Sequence, residues 1–134
     1  MQRFHAVFYR ASDGTEPVDA FIEALDSPRR QAALDFQIGR LKLLSETDPH
    51  LPFPHSSQIE GVLRELRCHY GRELYRILYR RSGSLLVLLH MFRKDTGTLP
   101  AHEVEIARER WNDFKRRMDA PTRFPPRAAG HDAP

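Results

Sequence analysis

The chain's pattern of apolar, charged and turn residues predicts a small α+β fold, ordered β-α-α-β-β-β-α. The segment from Val62 to Lys94 is rich in β-branched, aromatic and leucine residues, broken at Gly71 and at Ser82-Gly83-Ser84, which is the pattern of an antiparallel meander. Between Pro100 and Met118, Val104, Ala107, Trp111, Phe114 and Met118 recur at three- and four-residue steps, the stripe of an amphipathic helix. Ahead of the meander, two shorter helical stripes stand back to back around Ser27-Pro28.

In chain order, Arg3 to Arg10 reads as a half-buried first strand built on aromatics and Val7. Ser12 to Gly14 is a turn. Thr15 is placed to cap the first helix, with Glu16 and Pro17 in its first turn and Val18, Phe21, Ile22 and Leu25 on its apolar side. Ser27 caps the second helix and Pro28 opens it; Leu34, Ile38, Leu41 and Leu44 carry its stripe toward Glu46, with Gly39 a weak point. Prolines make Thr47 to Ser57 an irregular loop. After the meander, Arg93 to Leu99 forms a basic turn bent at Gly97, and the final helix follows. Residues 1–118 are thus the expected domain, and 119–134, rich in proline and alanine without periodicity, a disordered tail.

With 134 residues, 40% of them hydrophobic and 29% charged, the chain suits one soluble globular domain. The formal net charge of +3 is compatible with an anionic partner without requiring one. Cys68 is the lone cysteine, so no internal disulfide forms; together with the absence of a signal-like leader this favours the cytoplasm. It sits on the apolar side of its strand, where an inert thiol is expected. The longest apolar run, Leu85 to Phe92, is far too short to cross a bilayer, so no membrane partner is expected. The seven histidines show no H-E-x-x-H spacing and the cysteine has no mate, so neither metal nor cofactor is expected.

Strand side chains alternate between faces. That alternation sets Val62, Leu66, Cys68 and Tyr70, then Tyr75, Ile77 and Tyr79, then Leu85, Val87, Leu89 and Met91, toward a core. Glu65, Arg67, Arg76, His90 and Lys94 then gather among Leu74, Leu78, Leu86, Leu88 and Phe92 on the other face. With the helices packed on one face, the cationic face stays open. It suits an anion whose flat parts also pack, as RNA does; it equally describes a solvated face whose arginine stems cover apolar surface.

Four segments in this order resemble one family. They are L-R-E-L-R (Leu63–Arg67), Y-R-I-L-Y (Tyr75–Tyr79), L-L-H-M-F-R-K (Leu88–Lys94) and P-x-x-E-x-x-x-A-x-x-R (Pro100–Arg110). The chain is similar, over about residues 3–117, to the phage-derived, HigB-like branch of the RelE/ParE toxins of type II toxin–antitoxin systems. The resemblance implies a RelE-like antiparallel sheet and a ribosome-dependent mRNA endonuclease that works by metal-independent attack of a ribose 2′-hydroxyl. It implies two partners: mRNA on the ribosome, and a cognate antitoxin, often a helix-turn-helix protein. Carried over, Arg67 and Arg76 clamp the scissile phosphate, Lys94 adds a third cation and His90 moves a proton. Glu65 either holds the arginines by ion pairing or acts as base, and Arg80 and Arg93 join it in contacting RNA. Asp95 stands where relatives carry a second lysine. ParE-like relatives share the fold but bind gyrase without cutting RNA, and a non-toxic member of the family is a further alternative.

Overall fold

In a computed structural model of the chain, residues 3–52, 55–94, 99–119 and 127–128 are described. The order is β1 (His5–Phe8), α1 (Pro17–Glu23), α2 (Pro28–Gly39), a 3-10 turn (Arg40–Leu43), β2 (Ser56–Glu60), β3 (Leu63–Tyr70), β4 (Glu73–Ser82), β5 (Leu85–Lys94), α3 (Ala101–Met118) and β6 (Arg127–Ala128). The six strands form one sheet in the order β2-β3-β4-β5-β1-β6. β2 to β5 is an antiparallel meander, and β1 docks against β5 in parallel.

The α+β class and the meander agree with the sequence, and the differences have local causes. Ser27 caps α2 as expected, its hydroxyl accepting from the Arg30 amide at 3.3 Å, with Pro28 at the first position. Thr15 does not cap α1: its hydroxyl and amide both donate to Asp13, at 2.7 and 3.0 Å, and Glu16 takes the cap position. The α-helical part of α2 stops at Gly39, short of Glu46, and tightens into the 3-10 turn, where glycine's backbone entropy weakens the helix most. Leu34, Ile38, Leu41 and Leu44 still reach the core. β2 is an additional strand that starts at the end of the expected Thr47–Ser57 loop and runs to Glu60. Its S-S-Q-I-E sequence holds a single apolar residue because it is an edge strand, so alternation could not reveal it. The turn at Gly97, Asp95 and most of the 119–134 tail lie outside the described residues; Arg127 and Ala128 pair with Phe8 and Val7.

Two cores sandwich the sheet. Phe8, Leu34, Ile38, Leu66, Cys68, Tyr75, Ile77 and Leu88 belong to the one beneath α1 and α2. On the opposite face, Val7, Leu78, Val87, Leu89 and Phe92 pack against Val104, Ala107, Trp111 and Phe114 of α3. The helices therefore do not share one face. Part of the face expected to lie open is covered by α3, because Leu78, Leu89 and Phe92 supply it with an apolar strip to bury against.

A bulge decides which residues of β5 share a face with the arginines. Leu78 pairs with His90 and Tyr79 with Leu88, so Leu89 is an extra residue in β5. Before it, Leu86 and Leu88 face α1 and α2; beyond it, the parity reverses and Met91 faces that way instead. Strict alternation therefore exchanges the faces of Leu85, Leu86, Val87, Leu88 and Leu89, and places Met91 correctly. It places His90, Phe92 and Lys94 correctly only because the bulge shifts them there.

Candidate functional site

Arg67 on β3 and Arg76 on β4 are direct cross-strand partners. Two cations opposite each other on one face repel, and the sequence answers this two residues upstream with Glu65. Its carboxylate reaches Arg67 Nε through one oxygen and Arg76 Nη1 through the other, both at 3.1 Å. Ser57 on β2 fixes that carboxylate by donating from its hydroxyl at 2.8 Å. Glu65 is 2% exposed and Arg76 4%, whereas the Arg67 side chain retains 21%. Glu65 thus anchors a buried arginine and a more accessible one, a geometry that favours ion pairing over a role as base.

Lys94 completes the group. It pairs with Leu74, beside the Arg76–Phe92 pair. Burial first, and then the fields of Arg76 and Arg67, lower its ammonium pKa, with Glu65 acting in the opposite direction. Burial also lowers the pKa of Arg76, offset by Glu65. The cluster thus gathers three cationic side chains beside one buried carboxylate.

His90 is set differently. Its ring stacks on Phe92, centroids 5.7 Å apart. Arg110 Nη1 donates to Nδ1 at 3.0 Å and also to the Leu89 carbonyl at 3.0 Å. Because arginine only donates, Nδ1 is the acceptor and the ring proton resides on Nε2. That nitrogen lies 3.3 Å from Glu103 Oε1, which His102 Nε2 also approaches at 3.0 Å. Burial lowers the His90 pKa, opposed by Glu103 and reinforced by Arg110. Both ring nitrogens face α3, so His90 forms the joint between the bulge and that helix. Glu103 and Arg110, to which the sequence analysis gave no part in the site, are the E and R of the P-x-x-E-x-x-x-A-x-x-R segment. They stand in the first and third turns of α3.

The remaining expected residues are not brought to the cluster. The Arg80 guanidinium stacks over Trp111 at 4.3 Å from the ring centroid. It borders a separate cavity of about 520 Å³ with Glu60, Arg108 and Asn112. Arg93, expected to contact RNA, pairs with Tyr75 and points to the α2 face, 3.7 Å from Glu73, on the opposite side of the sheet from Arg76. Tyr75 and Tyr79 are buried core residues, as expected. Among the described residues, no group of histidine, cysteine and carboxylate side chains could hold a metal ion, and no helix is long and apolar enough to cross a membrane.

The arrangement Glu65–Arg67–Arg76–Lys94 can bind a phosphate and stabilise extra negative charge on it. A family model described as phage derived protein Gp49-like (DUF891) matches residues 20–112, a span that contains all these side chains. No curated protein matches the chain significantly.

Proposed function

Since the chain belongs to the phage-derived Gp49-like family, and its motifs resemble those of RelE/ParE toxins, we propose that it is the toxin of a type II toxin–antitoxin pair, acting in the cytoplasm as an mRNA endonuclease on the ribosome. The observation that supports this most is the pairing of Arg67 with Arg76 across β3 and β4, held by one buried carboxylate and flanked by Lys94. A protein that worked by docking alone has no need to force two arginines into register and bury a counter-ion beneath them.

In the proposed reaction, the ribose 2′-oxygen attacks the adjacent phosphorus, the bond to the 5′-oxygen breaks and a cyclic phosphate is left. The 2′-hydroxyl gives up its proton, and the leaving 5′-oxygen takes one. Arg67, the more accessible arginine, meets the phosphate oxygens; Arg76, buried behind it, contributes field rather than contact. Lys94, with its lowered pKa, releases a proton more readily than a free lysine and is the group suited to the leaving oxygen. This assignment moves proton transfer away from His90, whose nitrogens are engaged by α3. The antitoxin is a protein that covers this face.

The test is inducible expression in a bacterium with mapped mRNA 5′ ends, alongside Arg67→Ala. Growth arrest with new 5′ ends in translated messages, reduced about 10²–10³-fold by the substitution as for loss of one transition-state donor, is expected. Arrest with intact mRNA and induction of DNA-damage genes would replace the nuclease with a gyrase-binding inhibitor. Unimpaired growth with folded protein would identify a non-toxic member.

A further inference from the structure

A second cationic recess lies on the opposite side of the sheet. Gln58, Arg64 and Tyr79 stand in one cross-strand row over β2, β3 and β4, and Arg81 pairs with Leu86 at the next same-face position on β4. With Pro49, His50, Gly61 and Val62 they enclose a cavity of about 500 Å³. Its floor is the buried Tyr79 and Leu86. Its polar wall is two arginines, an imidazole and an amide, and no carboxylate lines it among the described residues.

The donors there are under-used. Arg64 Nε is buried with no hydrogen-bond partner among the described residues, while its Nη2 donates only to the Ser56 hydroxyl at 3.3 Å. Arg81 donates to the Gly83 carbonyl at 2.7 Å and pairs with Glu46 at 3.0 Å, but that glutamate is 79% exposed and easily exchanged for another anion. Burial, then Arg64, lowers the His50 pKa, with a smaller push from Arg81, while the Pro49 backbone and Asp48 act in the opposite direction, so both arginine fields reach this imidazole.

We propose that this recess binds a phosphate group. A carboxylate offers two oxygens and satisfies one arginine fork, whereas a phosphate can accept from Arg64 and Arg81 together and keep an oxygen for His50 or Gln58. The Tyr79–Leu86 floor and the rim of Pro49 and Val62 supply an apolar surface of the kind a nucleoside packs on, so the phosphate can be free or nucleotide-borne. The site shares no residue with the Arg67–Arg76 cluster and its test reads binding rather than cleavage, so it stands or falls separately from the toxin reading.

The experiment is NMR of the histidine imidazoles in the full chain during titration with inorganic phosphate, a nucleoside 5′-monophosphate or acetate, at constant ionic strength. Saturable movement of the His50 signals with both phosphates but not acetate is expected. Arg64→Gln and Arg81→Gln should each raise the midpoint about tenfold, the loss of one charged fork. A lower midpoint for the nucleotide assigns the site to a nucleotide; equal midpoints assign it to free phosphate. The proposal is overturned if acetate moves His50 as far as phosphate does, or if Arg81→Gln, which leaves a half-exposed position polar, does not change the midpoint.

Discussion

Replacing Glu65 by glutamine keeps the side chain's shape and removes its charge, which isolates what that charge does. Arg76, whose side chain is 5% exposed, would be left buried without a counter-ion, and breaking such a pair from one side costs about 3–5 kcal/mol. Arg67, with 21% of its side chain exposed, adds only a screened contribution of about 0.2–1 kcal/mol. The Ser57 hydroxyl can still donate to the amide oxygen, so that contact adds nothing to the loss. A loss near 3–5 kcal/mol is a large part of the roughly 5–15 kcal/mol that holds a domain of this kind together. Urea unfolding followed by far-ultraviolet circular dichroism, at neutral pH and with the slope checked for constancy, measures it. The double variant Glu65→Met with Arg76→Met should regain most of the stability, because no charge then remains stranded. A Glu65→Gln loss below about 1 kcal/mol would refute the reasoning, as it would show that the pair behaves like a surface ion pair.

Other outcomes follow from the same structure. Burial and then the hydrogen bond to Asp113 push the Tyr9 phenol up to about 12, from an ordinary 10.0. Its contribution to stability is whole below pH 10 and drains away as pH rises toward 12, so Tyr9→Phe should flatten that alkaline slope in thermal melts. Hydrogen bonds from Arg30 and then Tyr75 hold Glu73 down at about 2, against an ordinary 4.5. Its contribution is present above pH 4.5 and lost as pH falls toward 2, and Glu73→Gln should remove that acid dependence. Burial pushes the Cys68 thiol up to about 12, so a thiol reagent should label the folded protein negligibly at pH 8 and take up one equivalent in denaturant. Arg110→Met should raise the His90 pKa seen by NMR, since it removes a cation and the donor that keeps Nδ1 unprotonated, while Glu103 remains.

Most of the elements were legible because their signals are local. Ser27-Pro28 starts a helix wherever it stands before an apolar stripe, and the Val104–Met118 stripe needs no partner to be recognised. The Arg67–Arg76 pairing was also within reach, since the short Gly71–Arg72 connection between β3 and β4 sets their register. What escaped was non-local. β2 is polar because an edge strand buries little, so its identity rests on pairing with β3 rather than on its own composition. Arg80 reads as another cation on the same face and becomes a stacking partner only once α3 brings Trp111 over it.

By itself, then, the sequence determined the α+β class, the start of α2 at Ser27-Pro28, the buried thiol and the juxtaposition of Arg67, Arg76 and Glu65, because period, caps and tight turns are written within a few residues of one another. Only the tertiary structure decided that α3 crosses to the cationic face, that an extra Leu89 turns Lys94 toward the arginines, and that Glu103 and Arg110 draw His90 into a joint. Those outcomes depend on which apolar strip a distant helix can bury and on how the ladder absorbs one unpaired residue, and neither is encoded at any single position.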